Sequence, residues 1–160
     1  MIRPLGLVLV LALTPLAAQE PAPLTPGDHP QVTETRHLTI TTSTSRGADG
    51  AVRLWVDVAP KPSMHVYAPG QEGYIPISVT LASDPAVTAG EAVFPKASRV
   101  YMKALDETQL VFDRPFRIVQ PVTLTSNKDR KQIGGTVRYQ ACDDVMCYIP
   151  ATVKVSWTVE

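Results

Sequence analysis

The stretch TVKVSWTVE, residues 152–160, alternates apolar and polar side chains almost without interruption. Its apolar positions are Val153, Val155, Trp157 and Val159. A two-residue period of this kind is typical of a β-strand with one buried face. Similar alternation occurs upstream in four more runs, at residues 38–40, 52–58, 75–81 and 137–141. The sequence therefore predicts a chain built mainly from β-strands.

Short segments rich in glycine, proline and aspartate separate these runs, as expected of turns. They lie at residues 46–50, 59–62, 68–70, 83–85 and 134–135. No window of 12 or more residues keeps the 3.6-residue apolar period of a helix without a proline or a polar break. We therefore predict an all-β domain, an immunoglobulin-like antiparallel β-sandwich of seven or more short strands.

The overall charge excludes some classes of partner. Lys plus Arg and Asp plus Glu both total 15, so the net charge is zero and gives no reason to expect nucleic acid or an anionic membrane surface. The sequence also contains no Ser/His/Asp set, no phosphate-binding glycine loop and no clustered metal-ligand motif. We therefore expect neither a cofactor nor a metal ion.

The N-terminal residues predict export from the cytoplasm. Residues 1–18, MIRPLGLVLVLALTPLAA, have one arginine, an apolar run and a small pair, which is the layout of a secretory signal peptide. A retained anchor is the alternative, but the apolar run is shorter than the ~20 residues of a spanning helix. Residues 19–33 are proline-rich and predicted to be an extended leader. We place the folded domain at residues 34–160, in the periplasm or secreted, without stable membrane insertion.

Both cysteines lie in YQACDDVMCYIP, residues 139–150. In an exported protein they are expected to pair, because oxidising compartments favour disulfides. A disulfide between Cys142 and Cys147 closes so short a loop that it removes only about 2 kcal/mol of chain entropy from the unfolded state. It would therefore add little stability as a structural bridge. A disulfide that only stiffens this turn remains an alternative.

The surroundings of the pair favour a disulfide that a partner attacks. Asp143, Asp144 and Tyr148 predict a polar, aromatic surface around reachable sulfurs. The two aspartates disfavour a neighbouring thiolate, which argues against a strongly activated cysteine. The expected role is a passive disulfide that accepts electrons from a low-pKa thiol and passes them on through a mixed disulfide. Closer flanking of Cys142 by the strand favours Cys147 as the atom attacked first.

Three segments resemble one family. YQACDDVMCYIP is similar to the cysteine segment of the N-terminal periplasmic domain of the thiol:disulfide interchange protein DsbD. Upstream, KPSMHVYAPGQEGYIPISVTL and FPKASRVYMKALDETQLVFDRPFRI resemble that family's aromatic cluster and its cap-loop region. The resemblance extends over roughly residues 52–159 and implies an immunoglobulin-like fold.

The family also implies site residues and partners. By position, Cys142 and Cys147 are the redox pair, and Tyr67 and His65 line the site. A cap loop falls within residues 101–105, where Tyr101, Met102 or Leu105 must replace the aromatic residue that the family uses. The resemblance implies a thioredoxin-like or membrane electron donor, here expected to be a separate protein. The implied clients are periplasmic thiol oxidoreductases, including those of cytochrome c biogenesis.

Two other functions stay open. An immunoglobulin-like binding or assembly module would use the short disulfide only to shape a loop. A Cu(I) site would use soft ligands, the two thiols with Met64, Met102 and Met146, but their spacing matches no known motif.

Overall fold

The structure is a computed structural model that describes residues 28–48, 50–103, 105–125 and 131–160. The predicted signal peptide and residues 19–27 of the predicted leader lie outside this range. Within the described residues there is no helix long and apolar enough to cross a membrane. These residues form twelve strands: β1 Asp28–Glu34, β2 Leu38–Arg46, β3 Val52–Pro60, β4 His65–Tyr67, β5 Ser78–Leu81, β6 Val87–Ala89, β7 Ser98–Met102, β8 Glu107–Phe112, β9 Phe116–Leu124, β10 Lys131–Tyr139, β11 Ala141–Cys142 and β12 Ala151–Val159.

The strands form three sheets in which every pairing is antiparallel. The strand orders are β1-β2-β3-β9-β6, β12-β10-β5 and β11-β4-β8-β7. One apolar core joins them, since its buried members include Leu54 of the five-stranded sheet, Trp157 of the three-stranded sheet and Phe112 of the four-stranded sheet. The Trp157 indole donates a hydrogen bond to the Trp55 carbonyl oxygen at 2.9 Å and so links two sheets. The predicted all-β, immunoglobulin-like antiparallel sandwich is confirmed.

Strand β1 begins at Asp28, inside the segment predicted as a leader. Strand β1 pairs with β2 from Asp28 opposite Thr44 to Glu34 opposite Thr39, so residues 28–33 of the predicted leader belong to the sheet. Pro30 lies where the register shifts, and a bulge on an edge strand tolerates proline because no ladder hydrogen bond is needed there. The apolar pattern is weak because this edge strand leaves Val32 exposed.

The pair Gly134-Gly135, predicted as a turn, lies inside strand β10 instead. The reason is steric. A Cβ atom on Gly135 would lie 2.7 Å from the Thr80 carbonyl oxygen and 2.9 Å from the Trp157 ring. Glycine at this position therefore allows β5 and the Trp157 side chain to approach the β10 backbone closely.

The predicted run 137–141 is two strands that belong to different sheets. Strand β10 ends at Tyr139, and β11 begins at Ala141 and pairs with β4. Gln140 occupies the crossing point, where its side-chain oxygen accepts a hydrogen bond from the Ile75 amide at 3.1 Å. Its side-chain nitrogen donates to the Tyr148 carbonyl at 3.2 Å. The crossing brings the cysteine segment to the edge of the four-stranded sheet.

Candidate redox site

Cys142 and Cys147 form a disulfide, with their Cα atoms 4.1 Å apart. Cys142 is the last residue of β11, and the chain returns so tightly that the two cysteines also pair as an isolated β-bridge. The Asp143 amide donates to the Met146 carbonyl at 3.0 Å and closes the turn between them. The predicted pairing is thus present in a compact loop.

Asp143 holds this loop in shape. Its Oδ1 accepts hydrogen bonds from the amides of Val145 and Met146, both at 2.8 Å. Its Oδ2 accepts one from the Tyr148 hydroxyl at 2.7 Å. The Tyr148 hydroxyl and then the two amides hold the pKa of Asp143 below its usual value, so this carboxylate is ionised and committed to the turn. Asp144 beside it is exposed.

The two sulfur atoms are in different environments. The Cys142 side chain is only 1% exposed, whereas Cys147 is exposed to solvent. Cys142 is held by β11, and Cys147 lies in the loop that leads away from it. The sequence predicted that both sulfurs would be reachable, and for Cys142 this was wrong, because its strand packs it against β4. A macromolecular thiol can therefore approach only Cys147 directly.

Tyr67 lies beneath both sulfurs. Its hydroxyl oxygen is 3.0 Å from the Cys142 sulfur and 3.2 Å from the Cys147 sulfur. A disulfide carries no S–H group, so the tyrosine hydroxyl is the donor in both contacts. Burial raises the pKa of Tyr67 well above its usual value, which keeps this proton in place. The ring stacks on Tyr74 with centroids 4.2 Å apart, and the Tyr74 hydroxyl donates to Glu107.

His65 faces Cys142 across the β4–β11 ladder, where the two residues are register partners. Directly opposed side chains of an antiparallel pair lie on the same face of the sheet and close together. Burial lowers the pKa of His65, although Asp144, Asp113, Asp143 and the Gln109 side chain oppose this shift. The imidazole is therefore neutral at physiological pH. Its Nε2 atom is buried without a hydrogen-bond partner among the described residues.

A pocket of about 730 Å³ lies on one face of the four-stranded sheet, next to these residues. Its floor follows the two-residue period of the strands, with Gln109 and Val111 on β8 and Val100 and Met102 on β7. The β7–β8 hairpin forms one wall, and the disulfide loop forms another. The predicted site residues that line this pocket are Cys142, Cys147, His65, Tyr101, Met102, Leu105, Asp143 and Asp144.

The predicted cap residues lie on the hairpin wall. Tyr101 and Leu105 are both more than half exposed, and the Tyr101 hydroxyl donates to Asp106 at 2.6 Å. Cys147 remains exposed beside them. Tyr148 points elsewhere, because its ring packs on His37 with centroids 4.4 Å apart and it is not part of the pocket lining.

The sequence reasoning missed Gln109 and Glu107. Gln109 is 1% exposed, and its side-chain nitrogen donates to the Glu107 carboxylate. The one available signal was a polar residue at an inward position of the run ETQLVF, residues 107–112. That signal became meaningful only when the register of β8 was known.

Known proteins resemble this chain in sequence and in fold. A family model described as the N-terminal region of the thiol:disulfide interchange protein DsbD matches residues 34–158. The DsbD N-terminal domain of Neisseria meningitidis, in its reduced form, superposes with a TM-score of 0.53 at 16% identity, covering 76% of this chain and 84% of that chain. The N-terminal periplasmic domain of ScsB from Proteus mirabilis superposes with a TM-score of 0.55 at 12% identity, covering 78% of this chain and 47% of that one.

The GAE domain of GGA2p from Saccharomyces cerevisiae is also similar in structure, with a TM-score of 0.50 at 10% identity, covering 82% of this chain and 97% of that chain. No curated protein matches the chain. Structural similarity at these identities shows a shared fold alone. The family model carries more information, because it matches most of the chain and its segment includes both cysteines. The chain belongs to the family of DsbD N-terminal domains.

Proposed function

We propose that this domain carries out thiol–disulfide exchange in the periplasm and passes two electrons at a time through Cys142 and Cys147. The observation that carries the proposal is the asymmetry of the pair, with one exposed sulfur and one buried sulfur that share the Tyr67 hydroxyl. An exchange reaction needs one sulfur that a partner can reach and one that can leave.

The asymmetry assigns a role to each sulfur. A donor thiolate attacks the exposed Cys147 sulfur and forms a mixed disulfide, while the electron pair of the broken S–S bond moves to Cys142. The second thiol of the donor then releases Cys147, so the donor becomes a disulfide and this domain a dithiol. In the second half of the cycle Cys147 attacks a client disulfide. Cys142 then closes the pair again and frees the reduced client.

Tyr67 supports the departure of Cys142. A sulfur that is 1% exposed has little access to water, so a charge that develops on it needs a donor from the protein. The Tyr67 hydroxyl already points at that sulfur from 3.0 Å and does not have to move. A donor placed in advance where charge develops lowers the barrier to bond cleavage.

The surface around Cys147 suits a protein partner. Seven large apolar side chains are exposed among the described residues. Five of them lie on the β7–β8 hairpin or in the segment between β11 and β12. These five are Tyr101, Leu105, Val145, Met146 and Ile149. Exposed apolar side chains grouped around a reactive atom favour docking of another protein. We propose a thioredoxin-like or membrane donor and periplasmic thiol oxidoreductase clients, reached after export by the predicted signal peptide.

The first test is the equilibrium reduction potential of the pair against glutathione at pH 7. A relay disulfide is expected well above about −300 mV, whereas a value below that would identify an inert structural bridge and favour a binding module.

The second test compares thiol reactivity in Cys142→Ser and Cys147→Ser. A disulfide reagent such as dithionitrobenzoate should react with Cys147 of the first variant at least about a hundredfold faster than with Cys142 of the second, because only Cys147 is exposed. Equal rates in two folded variants would contradict the assigned order of attack.

The Cu(I) alternative gains one observation. Met64, Met102 and Met146 all line the pocket that contains both cysteines. Thioether and thiolate ligands together select Cu(I), and the thiolates exist only after the disulfide is reduced. A competition titration of the reduced protein with a Cu(I) chelator tests this. Stoichiometric binding that weakens when Met102 and Met146 become leucine would support copper, and binding that depends on the cysteines alone would not.

A further inference from the structure

The hydroxyl of Tyr67 is the centre of a small group of polar atoms. Both sulfurs contact it, and Gln109 hydrogen-bonds to it, which opposes the rise that burial causes in the pKa of Tyr67. Gln109 in turn donates to Glu107, which also accepts from Tyr74. His65 closes the group on the side of Cys142, its register partner. Burial lowers the pKa of His65, and Asp144, Asp113, Asp143 and lastly the Gln109 side chain oppose this shift.

Two atoms of this group are unsatisfied in the disulfide state. Gln109 Oε1 and His65 Nε2 are both buried, and neither has a hydrogen-bond partner among the described residues. Gln109 lies near enough to His65 to raise its pKa, but neither Gln109 Oε1 nor His65 Nε2 meets the geometry of a hydrogen bond. A buried polar atom without a partner costs free energy, and such an atom in a native structure calls for an explanation.

The number of hydrogen-bond donors in the group explains why two acceptor atoms have no partner. Around the disulfide, the sulfurs, the tyrosine oxygen and the glutamine oxygen are all acceptors, and so is His65 Nε2 when the imidazole proton is on Nδ1. The Tyr67 hydroxyl proton goes to the sulfurs, and the Tyr74 hydroxyl and the Gln109 amide nitrogen donate to Glu107. The site therefore has more acceptors than donors as long as the S–S bond is intact.

We propose that His65 and Gln109 are positioning residues that favour the dithiol, because each has a hydrogen-bonding atom that the disulfide leaves unsatisfied and the dithiol can satisfy. This inference rests on the redox role proposed above and adds a reason for its direction.

Reduction supplies the missing donors. A donor dithiol gives two electrons and two protons to the S–S bond and itself becomes a disulfide, so each cysteine gains an S–H group. The Cys147 thiol then donates to the Tyr67 oxygen, 3.2 Å away, which frees the Tyr67 hydroxyl proton for Gln109 Oε1. The Cys142 thiol donates to Nε2 of His65, its register partner. The free-energy cost of the two unsatisfied atoms falls mainly on the oxidised state, which makes the pair more readily reduced.

The experiment measures the equilibrium constant between the protein and glutathione at pH 7 for four proteins. Gln109→Met and His65→Phe remove the unsatisfied atoms while keeping a side chain of similar size. Gln120→Met is the matched control, because Gln120 is also a buried glutamine but lies on β9, where it donates to the Gly90 carbonyl at 2.7 Å. Urea unfolding of the oxidised and the reduced form of each protein accompanies the redox measurement.

The Gln109 and His65 variants are each expected to shift the equilibrium about tenfold toward the disulfide, which is ~30 mV for a two-electron couple. Their reduced forms should lose more stability than their oxidised forms. Gln120→Met should leave the redox equilibrium unchanged, whatever it does to stability. If one site variant does not fold, the other still tests the proposal.

An equilibrium constant within twofold of wild type in a folded site variant, or a shift toward the dithiol, would overturn the inference. An unchanged constant would mean that the two atoms are equally satisfied in both states, and a shift toward the dithiol would mean that the wild-type side chain favours the disulfide. This failure is distinct from failure of the relay. A wild-type potential below about −300 mV with shifted variants would remove the relay and keep the tuning role.

Discussion

Gln109 and Gln120 are both buried glutamines, but their side chains differ in how completely they are hydrogen-bonded. On the five-stranded sheet, Gln120 donates to two backbone carbonyls, at 2.7 and 3.2 Å. On the four-stranded sheet, Gln109 has an oxygen with no partner among the described residues. A charged pair on the five-stranded sheet is likewise fully hydrogen-bonded. Arg117 and Asp57 form a two-fold hydrogen-bonded pair at 2.5 and 2.7 Å, and the guanidinium stacks over the Trp55 ring.

The five-stranded and the four-stranded sheet therefore have different roles. The five-stranded sheet has long strands with a regular alternation of buried side chains, and its polar groups are paired in a way that does not depend on the sulfurs. The four-stranded sheet has shorter strands, and its site face holds two buried polar atoms without a partner among the described residues. The first sheet should therefore control stability, and the second should control redox behaviour.

The largest expected effect is on the first sheet. Leu54→Ala removes a fully buried side chain from β3 and should lower the free energy of unfolding by about 2–5 kcal/mol. Urea unfolding of the oxidised protein measures this. Val32→Ala, at an exposed position of β1, should change stability by less than about 0.5 kcal/mol. A clear change in reduction potential for Leu54→Ala would argue against the separation of tasks.

The next largest effect is expected on the rate of disulfide reduction. Tyr67→Phe removes the hydroxyl that serves both sulfurs, and hydrogen bonds to charged groups contribute about 1.5–3 kcal/mol. Reduction by dithiothreitol at pH 7 should therefore slow by roughly ten- to a hundredfold. Tyr139→Phe is the control, since Tyr139 is equally buried but its hydroxyl donates to Thr35. Equal rates for Tyr67→Phe and wild type would remove Tyr67 from the mechanism.

A smaller effect is expected inside the three-stranded sheet. Gly135→Ala places a Cβ atom against the Thr80 carbonyl and the Trp157 ring, and should cost about 1–3 kcal/mol of stability. Gly134→Ala is the matched control, because its Cβ would meet nothing closer than Ala82 at 3.7 Å. Urea unfolding midpoints of the two variants should differ clearly. Similar midpoints would contradict the close approach of β5 and β10.

The smallest effect is on the acid dependence of the loop. The pKa of Asp143 is lowered in the folded state, first by the Tyr148 hydroxyl and then by two amides. Its contribution to stability is therefore present above the unfolded value of about 3.9, and it is lost as the pH falls through the lower folded pKa. The difference in unfolding temperature between wild type and Asp143→Asn should be largest near pH 6 and shrink toward pH 2. A difference that is constant with pH would contradict a role for the ionised carboxylate.

The sequence predicted the fold class and the pairing of the two cysteines because both depend on local patterns. The run that ends at Val159 shows its period directly, and the two cysteines lie in one short segment that resembles a known family. The buried state of Cys142 was not predictable in this way, because it depends on the crossing at Gln140 and the pairing with β4. The role of Gly135 depends on a distant tryptophan, and that of Gln109 depends on the register of three strands.

The crossing at Gln140 also affects how the domain tolerates repeated use. The disulfide loop begins on the four-stranded sheet and ends in β12, which pairs with all nine residues of β10 on another sheet. A backbone hydrogen bond from Tyr148 to Ala141, at 2.9 Å, joins the two ends independently of the sulfurs. Opening the S–S bond therefore leaves both ends of the loop anchored. The domain can therefore change oxidation state without partial unfolding.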